Sequence, residues 1–144
     1  MNNTNIGNKT EHTISSVFRK KGYWVYNCPK SSTGSQPVDL IAIKGKANTD
    51  TCIVWLVDGK HVRSNEISFK LERIEPNQWI SMKYASEFAC INIENIGFAI
   101  EFERSGMFYY LPYKKALELD KNGEKSIKLY ELATLEDKLN EYDN

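Results

Sequence analysis

Apolar positions along the chain change their period several times, and each change marks an element. Between Thr10 and Lys21, Ile14, Val17 and Phe18 recur at the spacing of one helix face, and Gly22 supplies a residue suited to closing a helix. Tyr23 to Cys28 is rich in aromatic and β-branched side chains and reads as a strand. Pro29 to Pro37 breaks the pattern with Lys, Ser, Thr, Gly and Gln, the composition of a loop. Val38 to Lys44 and Thr51 to Lys60 contain unbroken apolar runs, as strands covered on both faces do. Residues 61–73 show no period. Pro76 stands where a helix can begin, and the chain stays helix-compatible to about Ile93. Gly97 to Glu103 and Met107 to Leu111 read as a hairpin around Ser105-Gly106. Pro112 opens a short helix to Leu119, residues 124–132 predict an extra strand, and a polar, acidic helix ends the chain. Residues 1–8 read as a frayed end.

The order helix, three strands, helix, two strands, helix predicts an α/β domain with a mixed central sheet flanked by helices. Its 144 residues suit one domain, with an acidic C-terminal extension from about residue 120. A hydrophobic content of 41% excludes a disordered chain. No apolar run approaches the roughly 20 residues of a membrane span, and no secretory signal follows Met1, so a cytoplasmic protein of a bacterium, an archaeon or a phage-infected cell is expected. Cys28, Cys52 and Cys90 are widely spaced and form no CxxC pair, which argues for buried reduced thiols over zinc ligation or a disulfide framework. The net charge of zero speaks mildly against a nucleic-acid partner, but its distribution changes that picture. Residues 1–115 carry 15 Lys and Arg against 11 Asp and Glu, a balance of +4, and residues 116–144 carry 4 against 8, a balance of −4. Local basic surface governs encounter with phosphates.

Strand alternation places Val54, Leu56, Asp58 and Lys60 on one face, so an apolar stripe ends in an acid and a lysine. Asp39 precedes the run Leu40-Ile41-Ala42-Ile43, where a carboxylate is costly unless it is paired or bound to a cation. If the two strands are neighbours, Asp39 and Asp58 can share one divalent ion with Lys60 beside it. Magnesium prefers carboxylate oxygens and water, lowers the pKa of a bound water and neutralises a scissile phosphate. Taken singly, Asp39 is also an ordinary strand-start acid, and Asp58-Gly59 an ordinary turn signal; the joint pattern is what points to chemistry. Glu11 shares the inward face of Ile14 and Phe18 and can reach a metal site, or serve only as a favourable charge near a helix start. Gln78 lies at a helix start on an inward face, where it can touch the water, the metal shell or a phosphate, or be simply solvated. Lys30, Ser31, Ser32 and Thr33 precede Asp39 in a loop suited to phosphate contacts, and Lys44, Lys46, Arg63 and Lys70 can supply more; solvated surface is the alternative for each. His12 and His61 are too far apart to suggest a metal pair, and neither is assigned a catalytic role.

These elements stand in a familiar order: Glu11, Gly22-Tyr23-Trp24-Val25, a Ser/Gly loop, Pro37-Val38-Asp39-Leu40-Ile41-Ala42, Asp58-Gly59-Lys60, Ser68-Phe69, Gln78, Gly97-Phe98-Ala99-Ile100 and Phe108-Tyr109-Tyr110-Leu111-Pro112. In that order they resemble the PD-(D/E)xK nucleases, and within them the Holliday junction resolvases of the archaeal and bacterial RecU types. The resemblance covers about Glu11 to Leu119. It implies a restriction-endonuclease-like core (αβββαβ) in which Asp39, Asp58 and Glu11, with Gly59, hold Mg²⁺ or Mn²⁺ and Lys60 is the catalytic lysine. It also implies a homodimer whose two sites cut symmetric strands of a four-way DNA junction. The pattern departs from the family's in spacing Pro37 from Asp39 by Val38 and in placing a glycine between the acid and the lysine. A restriction-like or DNA-end-processing nuclease on the same core is the first alternative, and a DNA-binding module without catalysis the second. A non-DNA interaction protein is the third, supported only by the zero net charge. The stretch Met107 to Leu111 is a candidate dimer interface, or else covers the domain's own core.

Overall fold

The computed structural model of the chain describes residues 3–29, 38–88 and 90–143. Helix α1 spans Asn3–Lys20, so most of the segment expected to fray is helical. Residues 3–9 hold one large apolar residue, Ile6, and give no apolar stripe to announce a helix. The far end of α1 falls as expected. Gly22 takes φ +88°, and the N–H groups of Gly22 and Tyr23 return to the carbonyls of Arg19 and Phe18 at 3.0 and 3.1 Å.

Three antiparallel strands follow: β1 (Trp24–Asn27), β2 (Leu40–Gly45) and β3 (Cys52–Val62). The segment without a period holds the end of β3, a short β4 (Ser68–Lys70) and a 3-10 turn over Leu71–Arg73. Helix α2 (Pro76–Phe88) is shorter than expected, and Ile93–Asn95 forms a separate 3-10 turn. Then come β5 (Ile96–Phe102), β6 (Met107–Pro112), α3 (Tyr113–Lys121), β7 (Ser126–Lys128), β8 (Ala133–Thr134) and α4 (Leu135–Asn140). The main sheet has the order β1-β2-β3-β5-β6-β8. Its one parallel pairing, β3 with β5, needs a crossover, which β4 and α2 provide. The extra strand expected over residues 124–132 is only three residues long, and pairs with β4 outside the main sheet.

Strand alternation sends apolar side chains to both faces of this sheet. One face carries Leu40, Ala42, Trp55, Val57, Ala99 and Tyr110 into a core closed by Ile14 and Phe18 of α1 and by Leu135 and Leu139 of α4. Within it the Trp55 indole N–H donates to the Tyr23 hydroxyl at 3.1 Å. The other face carries Phe98, Ile100, Phe102 and Leu111 against Phe69, Met82 of α2 and Ala116 of α3. The acidic C-terminal segment is therefore built into both the sheet and a core.

Burial decides two further points. The aromatic stretch of β6 is not an edge, because β5 and β8 flank it, and Tyr109, Tyr110 and Leu111 are buried. Of the two readings of this stretch, its buried residues fit the one in which it covers the domain's own core. Cys52 and Cys90 are exposed rather than buried, at a strand start and beyond the end of α2, and only Cys28 is partly buried. No helix among the described residues is long and apolar enough to cross a membrane.

Candidate active site

The register of β2 on β3 builds the centre of the site. Leu40 pairs with Val57, so the residues one step further along, Asp39 and Asp58, face each other across the two strands. The Asp39 N–H donates to the Val57 carbonyl at 3.1 Å, and its carbonyl accepts from the Cys28 N–H at 2.8 Å, which fixes its backbone on both sides. Both carboxylates are withdrawn from solvent, Asp39 at 8% and Asp58 at 3% exposure. They lie within hydrogen-bonding reach of each other. Burial first, and then the charge of Asp39, push Asp58 up to about 7 against the pull of Lys60. Two buried carboxyls side by side are a pair of hard oxygen donors suited to a divalent cation.

Gly59 explains the departure from the family's pattern. Its N–H donates to Asp39 Oδ2 at 2.7 Å. A Cβ there would stand 2.9 Å from Ile14 Cδ1, a side chain sealed in the core, and 3.5 Å from the same Asp39 oxygen. The glycine lets α1 press against β3 where the acids meet, and the strand runs on unbroken to Val62. The contact seen for Gly59 is thus one that orients the Asp39 carboxylate.

Lys60 follows on the same face as Asp58. Its ammonium lies 3.2 Å from Asp58 Oδ2 and donates to Gln78 Oε1 at 2.9 Å and to the Arg73 carbonyl at 3.1 Å. Gln78, at the start of α2, closes the triangle by donating to Asp58 Oδ2 at 2.9 Å, and its Oε1 also accepts from the Glu75 N–H at 2.9 Å. The structure therefore joins Gln78 to the acid–lysine pair and not to a remote surface. Burial pushes the Cys28 thiol up, and the charges of Asp39 and then Glu11 of α1 add to it, so both acids face that thiol. Among the described residues, no three His, Cys, Asp or Glu side chains converge closely enough to form a metal cage.

Other sequence-predicted residues are scattered. Arg63 and Lys70 line a cleft beside Lys60. Lys44 sits five strand residues from Asp39, roughly 17 Å away at the usual rise, and donates to the Lys21 carbonyl at 2.8 Å. Lys46 lies just past the same end of β2. Lys30, Ser31, Ser32 and Thr33 are outside the described residues. A polar network escaped the sequence reading: His61 bonds Glu101 at 2.8 Å and Glu103 at 2.7 Å, and Thr10 of α1 donates to Glu101 at 3.1 Å. The pairing of His61 with Glu101 across parallel strands decides this contact, and no local period announces it.

No family model and no curated protein sequence matches the chain. Solved structures do. Archaeoglobus fulgidus Hjc, a Holliday junction resolvase from an archaeal hyperthermophile, superposes with a TM-score of 0.59 at 12% identity, over 92% of this chain and 94% of that one. D212, a nuclease from a fusselovirus, superposes with a TM-score of 0.52 at 12% identity, over 94% of this chain and 92% of that one. The chain has the restriction-endonuclease-like fold of the archaeal resolvase, and the resemblance to Holliday junction resolvases that its motifs carry extends to its three-dimensional arrangement.

Proposed function

We propose that this protein is a metal-dependent DNA endonuclease that hydrolyses phosphodiester bonds in branched DNA, with Holliday junctions as its main substrate. The observation that carries the reading is the convergence of Asp39, Asp58 and Lys60 where the start of β2 meets β3, in a fold shared with a resolvase and a viral nuclease. The donors suit Mg²⁺ or Mn²⁺, since two buried carboxylates that repel each other are relieved by a shared hard cation. Asp39 and Asp58, with Glu11 and Gly59 as further proposed contacts, would hold such an ion, which would supply a more acidic water and neutralise phosphate charge. Lys60 stabilises charge that develops on the phosphate oxygens. Gln78 keeps the lysine aimed by accepting from it while donating to Asp58. Asp39 is held in place by the Gly59 N–H.

The partnership of Lys60 with Asp58 supports an active enzyme over a binding module that has lost catalysis. The deciding experiment incubates purified protein with labelled four-way junction, flap and linear duplex DNA, with and without Mg²⁺. Metal-dependent paired nicks in the junction, with little cutting of linear duplex, are expected. Equal cutting of all three would favour the restriction-like or end-processing alternative, and no cutting in Mg²⁺ or Mn²⁺ would remove the endonuclease reading.

A further inference from the structure

A cleft of ≈ 530 Å³ opens beside Lys60, between the first half of α1 and the segment that follows β3. Gly59 and Lys60 belong both to its wall and to the acid pair's surroundings, so the cleft borders the place where a strand cut at Asp39 and Asp58 would lie. Its walls hold Lys60, Arg63, Lys70 and Arg73 against Glu66 and Glu72, an excess of cations although Asp58 already engages Lys60.

Arg73 holds a defined position in this wall. Its guanidinium lies over the Phe69 ring, 5.6 Å from the centroid, and its Nη1 donates to the His61 carbonyl. That bond uses one of the five N–H donors of a guanidinium, whose planar fork matches a phosphate. The residue stays exposed on the cleft side while these contacts restrict its motion. Its main-chain carbonyl accepts from Lys60 Nζ at 3.1 Å. One residue thus meets the catalytic lysine through its backbone and the cleft through its side chain, so an anion gripped there stands in fixed relation to the reacting centre.

We propose that the cleft seats a phosphate of the substrate strand adjacent to the scissile one, and that Arg73 grips it. The proposal rests on the endonuclease reading and adds a substrate-positioning residue that the acid–lysine pattern does not contain. It is separable from the bland role, in which Arg73 only ties β3 to the turn that follows β4.

The test measures binding of a four-way junction without divalent metal while single phosphates around the branch point are replaced by neutral methylphosphonates. Arg73→Gln should weaken binding about tenfold near 0.1 M salt and reduce the slope of log K against log[salt] by about 0.9. Neutralising one phosphate should cost the wild type a similar factor and cost the variant nothing further. Arg73→Lys, which keeps the charge, should retain the slope and part of the affinity, and serves if the glutamine variant does not fold. Cut mapping in Mg²⁺ should then place the coupled phosphate within two nucleotides of the nick. Losses that multiply at every phosphate, an unchanged salt slope, or a coupled phosphate far from the nick would each overturn the proposal. Wild-type protein that shows the coupling but never cuts would sink the endonuclease reading and leave the phosphate seat standing.

Discussion

At the scale of single residues the site divides its labour between charge and position. Asp39→Asn is expected to abolish cleavage and leave DNA binding intact or tighter, because a negative charge near phosphates is removed; gel-shift and cleavage assays on one preparation read both, and wild-type cleavage by the variant would defeat the assignment. Lys60→Ala should lower the cleavage rate by several orders of magnitude with a much smaller change in affinity, as expected for a group that acts in the transition state. Asp58 adds a pH signature. Its folded-state pKa stands near 7, above the ordinary 3.8, because it is buried beside Asp39. A raised carboxyl favours the protonated fold, so its contribution to stability is present below about pH 4 and is lost as pH rises towards 7. Without metal, the wild type should therefore lose more thermal stability between pH 5 and pH 8 than Asp58→Asn does, and Mg²⁺ should restore more of it at pH 8 than at pH 5. Melting curves of the two proteins with EDTA and with Mg²⁺ measure this; identical pH profiles would show that Asp58 titrates normally.

At the scale of elements, β3 shows what a sequence can reveal of a site. Its alternation of Val54, Leu56, Asp58 and Lys60 was legible because a strand's faces follow from residue parity alone. The meeting of Asp39 with Asp58 was legible only as a condition, since a register depends on hydrogen bonds between strands that no single strand encodes. Gln78 and Glu11 were readable as inward residues of their helices, but which helix end reaches the acids is set by packing. The turn carrying Arg73 and the three-residue β4 were invisible: such short pieces show no period, and their structure comes from pairing with β7, over fifty residues later. Glycines tell the same story. Gly97 reads as a strand start in the sequence, whereas in the fold a Cβ there would stand 2.4 Å from the Leu111 carbonyl oxygen and 2.9 Å from Pro112 Cα. Backbone cannot give way as a side-chain tip can, so Gly97→Ala should destabilise the protein by about 1–3 kcal/mol or more, whereas Gly106→Ala in the β5–β6 turn meets no neighbouring atom and carries only the strain of its φ of +69°. Denaturant melts of the two variants compare them; equal losses would mean that β5 and β6 can separate at little cost.

At the scale of the whole molecule, the proposed junction substrate would ask one site per chain to serve two strands. A four-way junction is nearly two-fold symmetric, and a closed two-fold dimer presents two sites through one self-complementary surface. The structure withdraws the β6 aromatics from that role and offers another surface. Ile80, Tyr84 and Phe88 recur every fourth residue along α2 and are 55%, 57% and 76% exposed. Trp24 and Tyr26, 60% and 46% exposed, stack on each other at 6.2 Å on the edge strand β1. Register puts this pair on the same sheet face as Ile41 and Ile43, the side on which α2 packs through Met82. Five large apolar side chains exposed on this side of the sheet make it the candidate for the surface a second copy would cover. The protein should therefore sediment as a dimer at micromolar concentration. Tyr84→Glu with Phe88→Glu should give a folded monomer that binds the junction more weakly and nicks one strand at a time. Tyr109→Glu should unfold the chain instead, since that ring is 9% exposed and edge-on to Phe102. A wild-type monomer that still makes paired, simultaneous cuts would refute the dimer, and a dimer that survives both α2 charges in a folded variant would move the interface to another face.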